Sequence, residues 1–166
     1  MIYTKEEAQK LLQRVLGYSK ADECEVSLAG SDSGNIRYAR NSVSTSGEIN
    51  QLSLAVSSSF GKKTGNATIN EFDDASLQKV VQRSEELAQL APENPEHMPL
   101  LGPQTFAESI TYVQATADIT PDTRAEAVGK SIQVSRDAKL QAAGYLENTT
   151  SFERSEERRV GKECLE

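Results

Sequence analysis

Apolar residues near the start of the chain recur at the spacing of a helix that buries one face. Thr4 with Glu7 three residues later forms a capping-box motif, in which each residue can bond the other's backbone, so the helix is predicted to begin after Thr4. Gly17 and the polar residues after it end the pattern. The predicted buried face consists of Ala8, Leu11, Leu12, Val15 and Leu16.

The following fifty residues alternate apolar and polar positions, which is typical of half-buried strands. The segment SDSG, residues 31–34, predicts a turn in which Gly34 takes positive φ, and GKKTG, residues 61–65, predicts a second turn. One apolar face and one face rich in Ser, Thr and Asn indicate an antiparallel meander. Four strands are predicted, at residues 23–30, 35–41, 49–60 and 66–72.

Two further helices and one further strand are predicted in the rest of the chain. Asp73 or Asp74 caps the second helix, which ends at Pro92, and the proline-rich residues 92–104 form a loop. Thr120 and Pro121 begin the third helix. Its predicted buried side consists of Ala125, Val128 and Ile132. A strand follows at residues 141–152, so we expect an α+β fold, an antiparallel sheet of four to five strands with about three helices mainly on one face.

Composition excludes several classes of partner. The 18 Lys and Arg residues are scattered among 25 Asp and Glu residues, for a net charge of −7, which argues against nucleic acid as a ligand. No apolar run approaches the roughly 20 residues of a membrane span, and no signal peptide is recognisable at the start. Cys24 and Cys164 predict no disulfide framework. We expect a cytoplasmic protein with no membrane partner, in which Cys24 serves as a small apolar strand residue.

No self-contained catalytic site is predicted. His97 is the single histidine, whereas a helical zinc motif needs two histidines one turn apart, and its proline-rich surroundings indicate a loop. The segment around Gly61 and Lys62 does not match a phosphate-binding loop, because Val56 occupies the first glycine position and Lys63 the final Ser or Thr position. We therefore assign no catalytic, cofactor-binding or metal-binding residue to this chain.

Several segments together resemble the N-terminal domain of the TldD/PmbA family of metallopeptidases, also known as modulators of DNA gyrase. These segments are RYARNSVSTSG from Arg37, the hairpin at FGKKTG, TINEFDDASL leading into the second helix, and RSEELAQLAPENPE at its end. The resemblance extends over about Thr4 to Phe152. It identifies residues 4–153 as a domain of this family that is incomplete at its C-terminal end.

The resemblance implies that this chain alone is inactive. Family members are about three times longer, and their zinc-binding H-E-x-x-x-H motif lies in a C-terminal domain, so none of those ligands maps onto this sequence. The resemblance implies an assembly role beside the missing domain, in a homo- or heterodimer that encloses a cleft for peptide substrates. We also expect the shortened chain to self-associate through the strand near residues 142–152, whose backbone would lack a partner.

The last thirteen residues, 154–166, differ from the rest of the chain. They are densely charged and show no apolar periodicity. The sequence RSEERRVGKEC resembles an in-frame translation of a sequencing-adapter oligonucleotide, and the final LE resembles a cloning remnant. We therefore interpret residues 154–166 as a non-native tail; a natural charged helix end is the alternative.

A second function is open on the same residues. The domain could act alone as a binding or regulatory module whose sheet edge receives a peptide strand. Arg37, Arg40, Asn41 and Phe60 are then the candidate contacts. The alternative is structural, with Arg37 and Arg40 as solvated strand residues and Phe60 in the core. A small enzyme that uses carboxylates alone is a third possibility.

Overall fold

The computed structural model describes residues 3–102, 107 and 110–159. None of the helices in these ranges is long and apolar enough to cross a membrane. The elements in chain order are α1 (Lys5–Leu16), β1 (Glu23–Ala39), β2 (Ser42–Phe60), β3 (Lys63–Ile69), α2 (Asp74–Leu90), α3 (Gln114–Ala117), α4 (Pro121–Asp137) and β4 (Gly144–Arg159).

The predicted helix starts are confirmed. In α1 the N–H of Glu7 donates to the Thr4 hydroxyl, and the N–H of Thr4 donates back to the Glu7 carboxylate, which completes the capping box. Asp73 caps α2, and Thr120 caps α4 with Pro121 in the first helical position. The cap residues therefore predicted the starts of α1, α2 and α4 correctly, because their polar side chains can satisfy the free N–H groups of a first helical turn.

The strands form one antiparallel sheet in the order β3-β2-β1-β4. β2 and β3 are joined by the tight turn at Gly61 and Lys62, where Gly61 has a φ of +59°. Their register runs from Phe60 opposite Lys63 to Leu54 opposite Ile69. The α+β class and the antiparallel sheet are confirmed, and the glycine–lysine segment is a hairpin turn.

The predicted turn at residues 31–34 is wrong, because β1 continues through it without interruption. The chain reverses instead at Arg40 and Asn41, with φ values of +53° and +58°. A two-residue hairpin turn with positive φ at both positions matches the right-handed twist of its strands, and Asn tolerates that conformation better than most residues. The meander up to residue 69 therefore has three strands instead of four: β1 and β2 are long, and β3 has seven residues.

Two further elements differ from the expectation. The short helix α3 lies between the predicted loop at residues 92–104 and the helix predicted to begin at Thr120, where the sequence analysis predicts no helix. β4 begins at Gly144 and continues through Arg159, so six residues of the predicted tail extend this strand. The non-native origin of residues 154–166 stays a prediction, and residues 160–166, with Cys164, lie outside the described residues.

The chain divides into two compact units, and β1, β2 and β4 each contribute residues to both. The α1–α2 unit contains Tyr3–Gly30, Leu52–Phe106 and the chain from Phe152 onward, as far as these are described. Its core is one aliphatic cluster in which α1 and α2 meet the buried faces of β1 and β2. The buried residues of this cluster are Ala8, Leu11, Leu12, Val15, Leu16, Cys24, Val26, Leu28, Leu54, Val56, Leu77, Val80 and Val81.

The α4 unit contains Ser31–Gln51 and the described part of Ala107–Ser151. Its apolar cluster is small: Val128 and Ile132 of α4 pack with Ile36 of β1, and Tyr38 is half-buried beside them. The predicted burial of Ala125 is wrong, since that residue is exposed and Arg124 is buried in its place. The buried positions of α4 are thus spaced four residues apart, which keeps them on one face of a helix.

Candidate functional site

Two of the predicted contact residues, Arg40 and Asn41, form the tip of the β1–β2 hairpin. Asn41 is held on both sides of its side-chain amide: Nδ2 donates to the Leu140 carbonyl at 2.8 Å, and Oδ1 accepts from the Ala142 N–H at 2.7 Å. Arg136 donates to the Asn41 carbonyl at 2.6 Å. The Asn41 side chain is therefore committed to fixing the hairpin tip within the α4 unit, whereas the Arg40 side chain is exposed.

Arg37 lies near the same end of β1 and is exposed. Its guanidinium carbon is 5.1 Å from the centre of the Tyr145 ring in β4, within the range of a cation–π contact. Partial desolvation and the nearby Glu147 carboxylate raise the pKa of the Tyr145 phenol, and Arg37 opposes this rise. Arg37 thus links β1 to β4 on a solvent-facing surface.

Phe60 does not join the other three candidates. It is the last residue of β2, is half-buried, and belongs to the α1–α2 unit, opposite Lys63 across the tight turn. The structure therefore brings Arg37, Arg40 and Asn41 together in one unit and leaves Phe60 in the other. A peptide contact by any of the four stays a prediction.

A polar cavity of about 390 Å³ lies within the α4 unit. Three strands supply one part of its wall, and the segment from Tyr112 to Arg124 supplies the rest. Carboxylates, amides and hydroxyls predominate in the wall. The lining residues are Asp32, Ser33, Gly34, Glu48, Asn50, Tyr112, Gln114, Ala117, Asp118, Ile119, Arg124, Asn148 and Thr150.

The side chain of Arg124 is the most buried charged group of this cavity, with 2% exposure. Its Nη1 donates to Asn148 Oδ1 at 2.8 Å and, at 3.5 Å, to the Ile119 carbonyl. Its Nη2 donates to Glu48 Oε1 at 3.0 Å, and Glu48 itself is 60% exposed. Arg124 thus joins α4 to β2 and β4, while its buried Nε–H has no acceptor in the part of the chain that the structure describes.

Gly34 makes room for this arginine. A Cβ built on Gly34 would overlap the Arg124 guanidinium, so a side chain at this position of β1 would displace the buried charge. This contact gives the glycine in the SDSG segment a role that does not require a turn. Sequence reasoning missed Arg124, although Arg124, Val128 and Ile132 are spaced by four residues on α4 and could have indicated it.

The cavity wall carries more negative than positive charge. Asp32, Glu48 and Asp118 contribute three carboxylates, and Arg124 contributes one guanidinium. One of these carboxylates already accepts a hydrogen bond within the chain, since Gln114 Nε2 donates to Asp118 Oδ1 at 2.7 Å. An arrangement of carboxylate, amide and hydroxyl oxygens around one buried guanidinium suits a small polar ligand.

A second feature is the unpaired edge of β2, of which residues 42–51 lie in the α4 unit. Pairing with β3 begins at Leu54, and no strand pairs with this edge over residues 42–53 in the part of the chain that the structure describes. Val43 and Ile49 on this stretch are 47% and 49% exposed. The stretch contains no Lys, Arg or Pro, the residues that commonly protect sheet edges from other chains. It offers a backbone template for an added strand.

The α1–α2 unit holds the remaining groups that carried a chemical prediction. Cys24 is fully buried in β1, as predicted, and burial raises the pKa of its thiol. His97 lies in the proline-rich loop, as predicted, with Nε2 3.5 Å from the Glu23 carboxylate. Arg159 binds the same carboxylate at 2.8 Å and donates to the Leu100 carbonyl at 2.7 Å. These contacts fasten the loop to the ends of β1 and β4.

Comparison with protein families gives one match, to the model described as PmbA/TldA metallopeptidase domain 1, over residues 24–88. The match includes β1 apart from Glu23, all of β2 and β3, and most of α2. It contains the hairpin and helix-entry motifs that carried the sequence resemblance. The TldD/PmbA resemblance is therefore confirmed. Comparison with curated proteins gives no significant match.

Solved structures share the fold of the TldD/PmbA-like domain. TldE from Thermococcus kodakarensis aligns with a TM-score of 0.73 and 15% identity, over 89% of this chain and 34% of its own. A candidate modulator of DNA gyrase from Bacteroides thetaiotaomicron aligns with a TM-score of 0.78 and 14% identity, over 94% and 37%. A protein of the same description from Thermotoga maritima gives 0.67 and 11%, over 93% and 44%. The chain thus spans between a third and a half of the length of these proteins.

Proposed function

We propose that this chain is a non-catalytic N-terminal domain of a TldD/PmbA-like zinc metallopeptidase, and that it contributes to the assembly and substrate cleft of the intact enzyme. The match of residues 24–88 to the first domain of that family carries the proposal. The alignment of 89% of this chain with 34% of TldE from Thermococcus kodakarensis supports it. The proposed partners are a second domain of the same protein and a second family subunit, in the cytoplasm, with peptides as substrates.

The zinc of such an enzyme belongs, in this proposal, to the second domain. Within the described residues, no group of three or more His, Cys, Asp or Glu side chains is arranged to hold a metal ion. His97 approaches the carboxylate of Glu23, which Arg159 already binds. We therefore assign zinc binding to none of these residues.

An assay of the purified chain tests whether the chain alone lacks peptidase activity. We expect no chelator-sensitive hydrolysis of a mixed library of unstructured peptides, and no stoichiometric zinc by elemental analysis. Hydrolysis that a chelator abolishes and added zinc restores would contradict the proposal.

Sequencing the gene beyond the codon for Phe152 tests whether this chain is part of a longer enzyme. We expect the natural reading frame to continue into a domain that contains H-E-x-x-x-H. In that longer protein, removal of residues 4–153 should abolish dimers and peptide hydrolysis together. A reading frame that stops soon after Phe152 would favour a separate role for the domain.

The unpaired edge of β2 supports a second candidate function, the binding of extended peptides by strand addition. Six of the twelve residues from 42 to 53 would present their N–H and C=O groups outward, because these groups alternate along a strand. Side chains with little charge on this stretch would accept many sequences. The binding should therefore depend more on the peptide backbone than on the peptide sequence.

Fluorescence polarisation with labelled unstructured peptides tests this function. Ile49→Lys places a charge on the open edge and should weaken binding by about fivefold or more, since a charged residue on an edge disfavours strand addition. Gln78→Lys adds the same charge to an exposed position of α2, away from the sheet edges, and should leave binding unchanged. Equal losses in the two variants would indicate a simple charge effect and contradict edge binding.

A further inference from the structure

We propose that the open edge of β2 pairs with the same edge of a second copy of this chain, antiparallel and in a single register, with Ser46 on the two-fold axis. The inference rests on the second candidate function, strand addition at this edge, and names the partner that supplies the strand. The stretch involved, residues 42–50, lies wholly in the α4 unit. A two-fold pairing uses this edge once in each copy, so association through it ends at a dimer.

Backbone geometry determines which residues of this edge can bond a second copy. Phe60 and Lys63 flank the tight turn between β2 and β3, and residues in that position form a hydrogen-bonded pair. The even-numbered residues of β2 therefore direct their N–H and C=O groups towards β3. Because β2 runs without interruption from Ser42, the even-numbered residues from 42 to 50 direct theirs to the open edge. Two copies thus form hydrogen-bonded pairs between even-numbered residues.

The exposed apolar side chains favour the register that is centred on Ser46. In this register Val43 of each copy lies opposite Ile49 of the other. The two side chains are 47% and 49% exposed in the single chain, and both have odd numbers, so they lie on the same face of the sheet. They meet as non-hydrogen-bonded pairs, in which side chains approach most closely. Each copy therefore covers both exposed apolar residues of the other.

The charge on this stretch favours the same register. Glu48 is its only charged residue, and pairing about Ser46 sets it opposite Ser44 of the second copy. The two Glu48 residues are then four positions apart along the strands, about 13 Å at the usual rise of a strand. Pairing about Glu48 would set the two carboxylates directly opposite each other, which is destabilising. Pairing about Gly47 would halve the separation and set both apolar residues opposite polar ones.

The size of the contact indicates a reversible dimer. Five hydrogen-bonded pairs form between the even-numbered positions, and each contributes two backbone bonds, about ten in total. A single strand edge is nevertheless a small interface, and interfaces below about 1,200 Å² are commonly transient. Monomer and dimer should therefore exchange, with the dimer favoured at high protein concentration.

Single cysteines on the edge measure the register. In a Cys164→Ser background, where Cys24 is fully buried, Ser46→Cys sets two thiols opposite each other. The roughly 5.5 Å between the Cα atoms of a hydrogen-bonded pair suits a disulfide. Ser44→Cys is the matched control, because both serines are exposed and each donates its hydroxyl to a carbonyl of β1. Its thiols lie about 13 Å apart along the strands, so Ser46→Cys should form disulfide-linked dimers about tenfold faster or more.

Sedimentation velocity of the unmodified chain measures the pairing without a cross-link. The dimer fraction should rise with protein concentration. Ile49→Lys enters each symmetric dimer twice and should weaken the dimer by about tenfold or more, because a charge on an edge disfavours strand pairing. Gln78→Lys places the same charge on an exposed position of α2 and should leave the dimer unchanged. Circular dichroism checks that both variants fold.

Equal cross-linking rates of the two cysteine variants, or a monomer at every concentration, would overturn the inference. A dimer that Ile49→Lys leaves intact would assign the association to another surface, such as β4, and overturn it as well. Labelled peptides separate this failure from that of the candidate function. A monomer that still binds them through the edge of β2 would retain strand addition and refute only the pairing of two copies.

Discussion

Thirteen buried side chains form the core of the α1–α2 unit, and none of them is charged, whereas the described α4 unit buries three apolar side chains beside the guanidinium of Arg124. The first core gains its stability from removing aliphatic surface from water, at about 25 cal/mol per Å². The core of the α4 unit has too little aliphatic surface to be stabilised in this way alone. Hydrogen bonds from the Arg124 guanidinium hold α4 to β2 and β4 instead. The polar cavity lies beside this guanidinium.

Gly65→Ala should be the most damaging single substitution in this comparison. A Cβ at Gly65 would overlap the backbone of α2 at Ser84 and Ala88, and a helix backbone cannot rotate away as a side chain can. We expect a loss of about 3 kcal/mol or more in the free energy of unfolding, at the upper end of overpacking effects. Urea denaturation followed by circular dichroism measures it, and a loss below about 1 kcal/mol would show that β3 and α2 can separate easily.

Arg124→Met should destabilise the α4 unit by a smaller amount. The substitution keeps the packing of the aliphatic stem and removes the bonds to Asn148 and Glu48. The Glu48 carboxylate is 60% exposed and regains water, so the cost should be about 1–3 kcal/mol, less than for a fully buried pair. Hydrogen exchange of β4 and α4 amides measures this loss in the α4 unit itself.

Arg37→Met is the matched control for that experiment. It makes the same replacement in the same unit, but Arg37 is exposed and its contact with Tyr145 is worth only about 0.5–1 kcal/mol. If the two variants lost equal stability, the burial of Arg124 would not be the reason for its effect.

Gly129→Ala should stabilise the chain. Gly129 lies inside α4, and a Cβ built there meets no described atom within 4 Å apart from the backbone of its own helix. Alanine lowers the conformational freedom of the unfolded chain and favours the helix, so we expect a gain of about 0.5–1 kcal/mol. The same denaturation experiment that measures Gly65→Ala measures this change of opposite sign. A loss of stability would indicate that something covers this face of α4.

Acid should weaken the helix caps of the α1–α2 unit before that of α4. Hydrogen bonds from Thr4, its backbone first, lower the pKa of Glu7 below 4.5, and hydrogen bonds from Ser76 lower that of Asp73 below 3.8. Because both pKa values are lower in the folded state, the caps contribute stability above the unfolded values and lose it as pH falls through the folded ones. Both carboxylates are exposed, so the effect is small.

Amide exchange at the three caps measures this difference between the units. The N–H groups of Thr4 and Ser76 donate to the titrating carboxylates of Glu7 and Asp73, and they should lose protection between pH 5 and the depressed pKa values, after correction for intrinsic exchange. The N–H of Thr123 donates to the Thr120 hydroxyl, which has no proton to gain in this range, and should be unaffected. Equal loss at all three would indicate general acid unfolding.

Local signals allowed a large part of the fold to be predicted. The caps at Thr4, Asp73 and Thr120 and the tight turn at Gly61 depend on neighbours in sequence, and all were identified correctly. The turn expected at Gly34 failed because the reason for that glycine is Arg124, ninety residues away. Nothing in the local sequence distinguishes a glycine that allows a turn from one that makes room for a distant side chain.

The same limit applies to the candidate sites. Arg37, Arg40 and Asn41 are neighbours in sequence, so their proximity could be predicted. The polar cavity combines residues from β1, β2, β4 and α4, and no local pattern reports such a combination. Its strongest signal was the placement of Arg124 four residues before Val128 and eight before Ile132, which a search for apolar residues alone passes over.

The three shared strands restrict how this protein can be divided. The chain passes from one unit to the other inside β1, β2 and β4. These junctions lie between residues 30 and 31, 51 and 52, and 151 and 152. These junctions are extended, hydrogen-bonded backbone, so a protease should find no linker there to cut, and neither unit can be cloned as one uninterrupted gene segment. Any engineered excision of the cavity-bearing half would require three strands to be severed and rejoined, and insertions are better directed to the tip at Arg40.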